Sequence, residues 1–307
     1  MTLVLSVATP AYAMHVSDRL VSKAGVPYDV LANKTVVVRA TDGLLAFGYT
    51  GPAFIQGLPT DTWLADVVAD GSCAGDLGTV NYGDFPVRDV GATLRRVCQR
   101  LRRQREFERL GGEVSAVGWQ WDGKRKPGAL VRDVLWVLHS GSGKLQWQQL
   151  VPRHAPERKR VFRMVCTGDW ALTREAWEQL ISEVGACSDD WQRARQLLVG
   201  AIHRASDEKP GTIGRHCMSV LLRPWRFPNA LVEFLPDACH QATAFGQPVE
   251  TAYSPWMVAS DAIHAPAVLV GGLSCEQGLL TYELKAPQVP EAQRLKAAFL
   301  SQPRPRS

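Results

Sequence analysis

Alternation of apolar and polar positions dominates the first fifty residues. Residues 2–9, TLVLSVAT, are rich in β-branched side chains and read as a strand closed by a turn at Pro10; residues 11–19, AYAMHVSDR, read as its return partner. After a loop containing Gly25 and Pro27, residues 34–51, KTVVVRATDGLLAFGYTG, supply two more strands. These are joined at Asp42-Gly43, a dipeptide suited to a tight hairpin turn. The N-terminal quarter is therefore expected to be a β-meander with Thr2 held at one end of its first strand.

The period then changes. Residues 61–70, DTWLADVVAD, read as a short helix capped by Thr60 or Asp61. Residues 87–110 read as one long helix, with Val87, Val90, Leu94, Cys98 and Leu101 on a single stripe. Alternation returns in SAVGWQWDG (115–123) and LVRDVLWVLHSGSGKLQW (130–147), with a turn at 124–128 between them and Gly141-Ser142-Gly143 closing the next hairpin. RMVCTGDWALTREAWEQL (163–180) reads as a strand, a connection and a helix, and WQRARQLLVGAIHRA (191–205) as a core helix with Leu197, Leu198, Ala201, Ile202 and Ala205 inward. CMSVLL (217–222) closes the pattern as a strand. Beyond residue 224 the chain is rich in proline, aromatic and β-branched residues. Strands are expected at Ala230 to Leu235, Trp256 to Ala259, Ala267 to Val270 and Leu279 to Leu284, forming a β-rich appendage before a disordered tail at 301–307.

Composition narrows the class. A chain of 307 residues, 46% hydrophobic and 21% charged, can bury one large core or a core plus a smaller unit. No apolar run reaches about eighteen residues, so no membrane span is indicated. The seven cysteines are scattered and odd in number with no C-x-x-C pair, which fits inert thiols in a reducing, cytoplasmic compartment. A secretory leader is the competing reading of the first residues, with Leu3 to Ala8 as its apolar part and Ala11-Tyr12-Ala13 as its cleavage site. It lacks a basic residue before Arg19 and falls short of the usual length of about 15 to 30 residues. The net charge of +5 is mostly local, because Arg95, Arg96, Arg100, Arg102, Arg103, Arg105 and Arg109 crowd one segment. Glu106 and Glu108 interrupt that cluster and aromatic residues do not interleave it, so it reads as a solvated or subunit-facing helix surface rather than a nucleic-acid site. The SGSGK at 140–144 is too short for a phosphate loop and no helix follows it. His139, His154, His203, His240 and His264 are too dispersed for a metal cluster, so neither metal nor cofactor is expected.

Asp18 ends the second strand and Lys34 begins the third. Taken alone they read as an exposed ion pair. Taken with Thr2 they carry a resemblance: Thr2, Asp18 sixteen residues on and Lys34 thirty-two residues on, followed by GYTG at 48–51, resemble a proteasome β-type subunit of the N-terminal nucleophile hydrolases. The resemblance is clearest over residues 1 to 70 and fades beyond. It implies an α+β fold, a four-layer αββα sandwich of two antiparallel sheets over residues 1–224, with 225–300 as a β-rich extension.

It also implies a chemistry. With Met1 removed, the hydroxyl of Thr2 would be the nucleophile and its own amine the general base. A nearby Lys34 ammonium would lower the amine's pKa, Asp18 would hold Lys34, and the Gly51 amide would stabilise the oxyanion. Thr167 and Gly168 take the place of the family's serine and glycine near the nucleophile; against that stands a plain strand-to-helix connection. Thr212, better placed than Asp207, matches a late hydroxyl, although two extra positions intervene; His216 reads as a hydrogen-bonded structural histidine. The implied protein is a cytoplasmic threonine peptidase or amidase in a self-compartmentalising homo-oligomeric ring, acting on peptide or protein substrates without a cofactor. No residue names an unfoldase partner. The alternatives are an inactive ring or scaffold protein and an exported binding protein beginning at Met14 or His15.

Overall fold

The computed structural model describes residues 2–9, 11–23, 26–29, 32–73, 80–121, 131–141, 144–149, 162–168, 172–223, 230–235, 242–244, 247–249, 251–266, 268–270 and 280–284. Two large sheets organise them. The strands of these sheets are β1 (Leu3–Ala8), β2 (Ala13–Asp18), β3 (Thr35–Ala40), β4 (Gly43–Thr50), β5 (Val80–Tyr82), β6 (Glu113–Trp121), β7 (Val131–Gly141), β8 (Lys144–Gln149), β9 (Arg163–Gly168), β10 (Cys217–Leu222), β11 (Ala230–Leu235), β12 (Trp256–Ala259), β13 (Ala262–His264) and β14 (Leu280–Leu284). The helices are α1 (Thr60–Val68), α2 (Val90–Leu101), α3 (Arg105–Arg109), α4 (Arg174–Ala186) and α5 (Trp191–Glu208).

The first sheet has the order β9-β1-β2-β10-β11-β14 and the second β8-β7-β6-β4-β3-β12-β13-β5. The expected meander is thus divided. The β1–β2 hairpin lies in one sheet and the β3–β4 hairpin in the other, because alternation fixes which face of a strand is apolar but not which strand it pairs with. The second sheet is not wholly antiparallel, since β12 pairs parallel to β3 with Val258 opposite Val38. Strands after residue 224 join both sheets, β11 and β14 in the first and β12 and β13 in the second. Residues 301–307 and the expected turn at 124–128 lie outside the described residues.

Three apolar clusters show how the elements stack. Val36, Val38, Leu45, Phe47, Val114 and Trp256 of the second sheet pack with Leu64, Val68, Leu94 and Val97 of α1 and α2. The opposite face of that sheet, through Val37, Leu44, Ala46, Val117 and Trp119, shares a cluster with Ala8, Ala13, Val220 and Phe234 of the first sheet. The far face of the first sheet, through Leu3, Leu5, Val16 and Cys217, packs on Leu180, Val184, Leu198 and Ile202 of α4 and α5. Alternation along each strand separates these clusters: Val36 and Val38 go one way, Val37 the other.

Two helical details differ from the sequence reading. The segment 87–110 is two helices, broken at Gln104 (φ −98°, ψ 84°). Phe107 sits six positions after Leu101, off the stripe of a straight helix, and the break lets both bury fully. Neither Thr60 nor Asp61 caps α1: Pro59 precedes it, and the Thr60 hydroxyl donates to the Pro52 carbonyl at 2.7 Å.

Candidate active site

One end of the stacked sheets gathers the chemistry-bearing residues. The start of β1, the end of β2, the end of β9 and the start of β10 lie together, because Leu3 pairs with Gly168, Val4 with Ser17 and Cys217 with Asp18. In the second sheet the end of β4 and the start of β6 meet as Thr50 opposite Glu113, and the Tyr49 amide donates to the Lys34 carbonyl at 3.2 Å.

Asp18 is the hub of this end. Its Oδ1 accepts from the Leu3 amide at 2.8 Å. Its Oδ2 accepts from Lys34 Nζ at 2.9 Å and from the amides of Leu20 and Gly214, each at 3.1 Å. The carboxylate thus anchors the residue that follows Thr2. Asp18 is 0% exposed and Lys34 2%, so the surface-pair reading of these two residues does not hold. Lys34 Nζ also donates to the Leu20 carbonyl at 2.6 Å. Burial lowers the Lys34 pKa, and the adjacent Asp18 opposes that shift.

Thr2, 8% exposed, lies at the mouth of this hub. Gly168 closes against it: at φ +98°, a β-carbon on Gly168 would stand 1.9 Å from the Thr2 carbonyl oxygen and 2.9 Å from Thr50 Cγ2. Only glycine suits that position. The Gly168 amide donates to Glu113 Oε2 at 2.9 Å, a tie between the two sheets. Thr167 is 1% exposed, and the hydroxyls of Thr167, Ser17 and Thr50 are buried without a hydrogen-bond partner among the described residues. Gly51 follows β4 at φ +103°, where a β-carbon would meet Gly112 Cα at 2.6 Å.

Thr212 is placed differently from its expected role. Its hydroxyl donates to the Lys209 carbonyl at 2.8 Å, finishing the turn after α5. The contact from this segment to the hub comes two residues later, through the Gly214 amide. Asp207 forms an ion pair with Arg215. Asp169 and Trp170 lie outside the described residues.

The sequence reading passed over Glu113, Gly214 and Thr50. Glu113 reaches Gly168 across 55 positions of chain and Gly214 reaches Asp18 across 196, so no local pattern marks them. A second polar group also escaped it. Ser6 Oγ lies 2.6 Å from His15 Nδ1 and 3.0 Å from Ser115 Oγ, and His15 Nε2 lies 2.7 Å from the Ala46 carbonyl. A carbonyl only accepts, so Nε2 carries the proton and Nδ1 accepts from Ser6. All three side chains are 0% exposed, which closes this serine–histidine pair to any substrate. Burial pulls His15 down to about 4.

Among the described residues no group of histidine, cysteine or acidic side chains is arranged to hold a metal, and no helix is long and apolar enough to cross a membrane. No protein-family model and no curated protein matches the sequence. Among solved structures, the chain is similar to a Gly-1 mutant of Anbu from Hyphomicrobium sp. strain MC1, with 11% identity and a TM-score of 0.47 over 73% of this chain and 82% of that one. It is also similar to Anbu (ancestral beta-subunit) from Yersinia bercovieri, with 9% identity and a TM-score of 0.42 over 72% and 81%.

Proposed function

We propose that the chain is an N-terminal threonine hydrolase that cleaves peptide or other amide bonds, built as a four-layer αββα sandwich and working in a homo-oligomeric ring. One observation carries the reading: a fully buried Asp18–Lys34 pair whose carboxylate also holds the backbone of Leu3, the residue after Thr2. Burying such a pair is costly unless its hydrogen bonds are met, and Asp18 accepts from three backbone amides besides Lys34. The three apolar clusters, in the order helices, sheet, sheet, helices, support the four layers.

In this reading Met1 is removed and Thr2 becomes the terminus. Its amine takes the proton of its hydroxyl as the oxygen bonds to the substrate carbonyl carbon. The Gly51 amide faces the oxyanion that forms, a contribution of about 3 kcal/mol per donor. The amide C–N bond then breaks, the leaving nitrogen receives the proton, and water hydrolyses the remaining ester by the same route. Lys34 has two of its three ammonium hydrogens committed, to Asp18 and to the Leu20 carbonyl, which leaves one for the Thr2 oxygen. Its charge also keeps the Thr2 amine neutral enough to accept a proton. In this reading the unpartnered hydroxyls of Thr167, Ser17 and Thr50 are the polar groups available beside the nucleophile.

Turnover of fluorogenic peptides by wild type and Thr2→Ala tests the reading, with circular dichroism confirming that both fold. Loss of at least a thousandfold in kcat/KM is the expected result. A Thr2→Ala variant as active as wild type overturns it. Assembly without turnover or labelling by either protein would instead mark an inactive scaffold.

A further inference from the structure

The outer face of α2 carries a group of side chains that the hydrolase reading leaves without a task. Arg88, Arg95, Arg96, Gln99, Arg100 and Arg103 line one open cavity of about 370 Å³. Their spacings of three, four and seven residues put them on one side of the helix and its flanks. A neighbouring cavity of about 350 Å³ shares Arg100 and Arg103 and continues toward α1 through Trp63 and Asp66.

Among the described residues Asp70 is the one acidic partner of these arginines. Asp70 lies 3.2 Å from Arg96 and 3.9 Å from Arg100, and Arg96 also donates to the Val68 carbonyl at 3.4 Å, which fixes one guanidinium in place. Asp89 spends its Oδ1 on the Ala92 amide at the start of α2. Among the described residues the guanidinium groups of Arg88, Arg95 and Arg103 make no ion pair and no hydrogen bond. Like charges held this close repel one another, and an external polyanion relieves that repulsion.

We propose that the α2 cavity binds a chain of phosphate groups, with short inorganic polyphosphate as its ligand class. Charge density selects this class over an acidic peptide. Five guanidinium groups serve one cavity of about 370 Å³, whereas the same-face carboxylates of an extended peptide stand about 7 Å apart, twice the rise per residue. The planar guanidinium also pairs two phosphate oxygens at once. The first cavity offers no aromatic ring for a base to stack on and only Ala92 as an apolar surface, so recognition falls to the phosphate oxygens alone. The spread of the five guanidinium groups from Arg88 to Arg103 along the α2 face suits an elongated ligand rather than a single phosphate, and the carboxylates of Asp66 and Asp70 in the second cavity bound the site on that side.

Calorimetric titration of the full-length protein with inorganic tripolyphosphate, at about 150 mM salt, tests the site. Saturable binding is expected, weakening as salt rises. A variant combining Arg88→Ala, Arg95→Ala and Arg103→Ala should bind at least tenfold more weakly, with unchanged thermal unfolding and unchanged reaction at Thr2. Absence of wild-type binding, or equal binding by the variant, overturns the proposal. So does a poly-glutamate peptide of equal charge that binds as tightly, which would assign the face to an acidic protein partner. A single-stranded oligonucleotide that binds tighter than polyphosphate of equal charge would show that bases are read, and would overturn it as well.

Discussion

At the residue scale, Lys34 separates mechanism from packing. An exposed pair would be worth about 0 to 1 kcal/mol and no activity. Because Asp18 and Lys34 are buried together, Lys34→Ala leaves a carboxylate with three amide donors but no counter-charge, and should destabilise the fold by about 3 kcal/mol. It should also cut kcat/KM by at least a hundredfold, through loss of the third ammonium hydrogen and a rise in the Thr2 amine's pKa. Lys34→Arg keeps the charge but not the reach to both Asp18 and the Leu20 carbonyl, and should be impaired nearly as much. Urea unfolding and peptide kinetics on the two variants check this; activity within a few-fold of wild type contradicts it.

Two further buried residues set a pH dependence with opposite signs. His15 falls from 6.5 to about 4, so its stabilising contribution is complete above pH 6.5 and is lost as pH falls toward 4. Asp61, at the start of α1, rises from 3.8 to about 6 through burial, so its contribution is complete below 3.8 and is lost as pH rises toward 6. Each is worth about 3 kcal/mol across its window, and they oppose one another between pH 4 and 6. Asp61→Asn removes one side of that balance. Between pH 6.5 and 4 the variant should lose about 3 kcal/mol more stability than wild type, measured by denaturant unfolding; parallel curves for the two proteins would refute the assignment.

At the element scale, the register of β9 on β1 places Gly168 against Thr2, and this is the tightest backbone approach at the site. Gly168→Ala must either shift β9 or tilt Thr2 away from Asp18. Activity should vanish, while unfolding, spread over a large sheet, should lose about 2 to 4 kcal/mol. A fully active Gly168→Ala would mean that the Thr2 carbonyl is not held as described. The strands around this contact were legible beforehand: β1 to β4 fall within a residue or two of where alternation and the Asp42-Gly43 turn put them. What alternation could not convey was partnership. It cannot assign β2 and β3 to different sheets, nor β12 to a parallel place beside β3, because pairing across 220 positions leaves no local trace. The break at Gln104 was hidden for a related reason, since no glycine or proline announces it and burial of Phe107 drives it. In the candidate site, Thr2, Asp18 and Lys34 were singled out by the spacing of a resemblance, and the structure joins Asp18 to Lys34 and to the Leu3 amide although the strands concerned lie in different sheets; Glu113 and Gly214 arrive from elsewhere. The Thr212 hydroxyl, by contrast, is engaged in a local turn.

At the scale of the whole molecule, both sheets depend on the C-terminal third. A chain ending at residue 224 would lose β11 and β14 from one sheet and β12 and β13 from the other, and with them Val232, Phe234, Trp256, Met257 and Val258 from the clusters on both faces of the second sheet. Exposed sheet edges and a depleted core should make such a chain aggregate on expression, read by its recovery in the soluble fraction. Recovery of a folded, monodisperse fragment would show that residues 1–224 fold alone.

The central claim, that Thr2 is a free N-terminal nucleophile beside a buried Asp18–Lys34 pair, is tested most directly by mass spectrometry of the intact protein after treatment with a peptide epoxyketone. That reagent needs a terminal amine and the hydroxyl of the same residue. The account predicts a chain lacking Met1 and carrying one adduct that maps to Thr2 and is absent in Thr2→Ala. A chain that keeps Met1, begins at Met14 or His15, or lacks Met1 yet takes up no adduct at saturating reagent would contradict it.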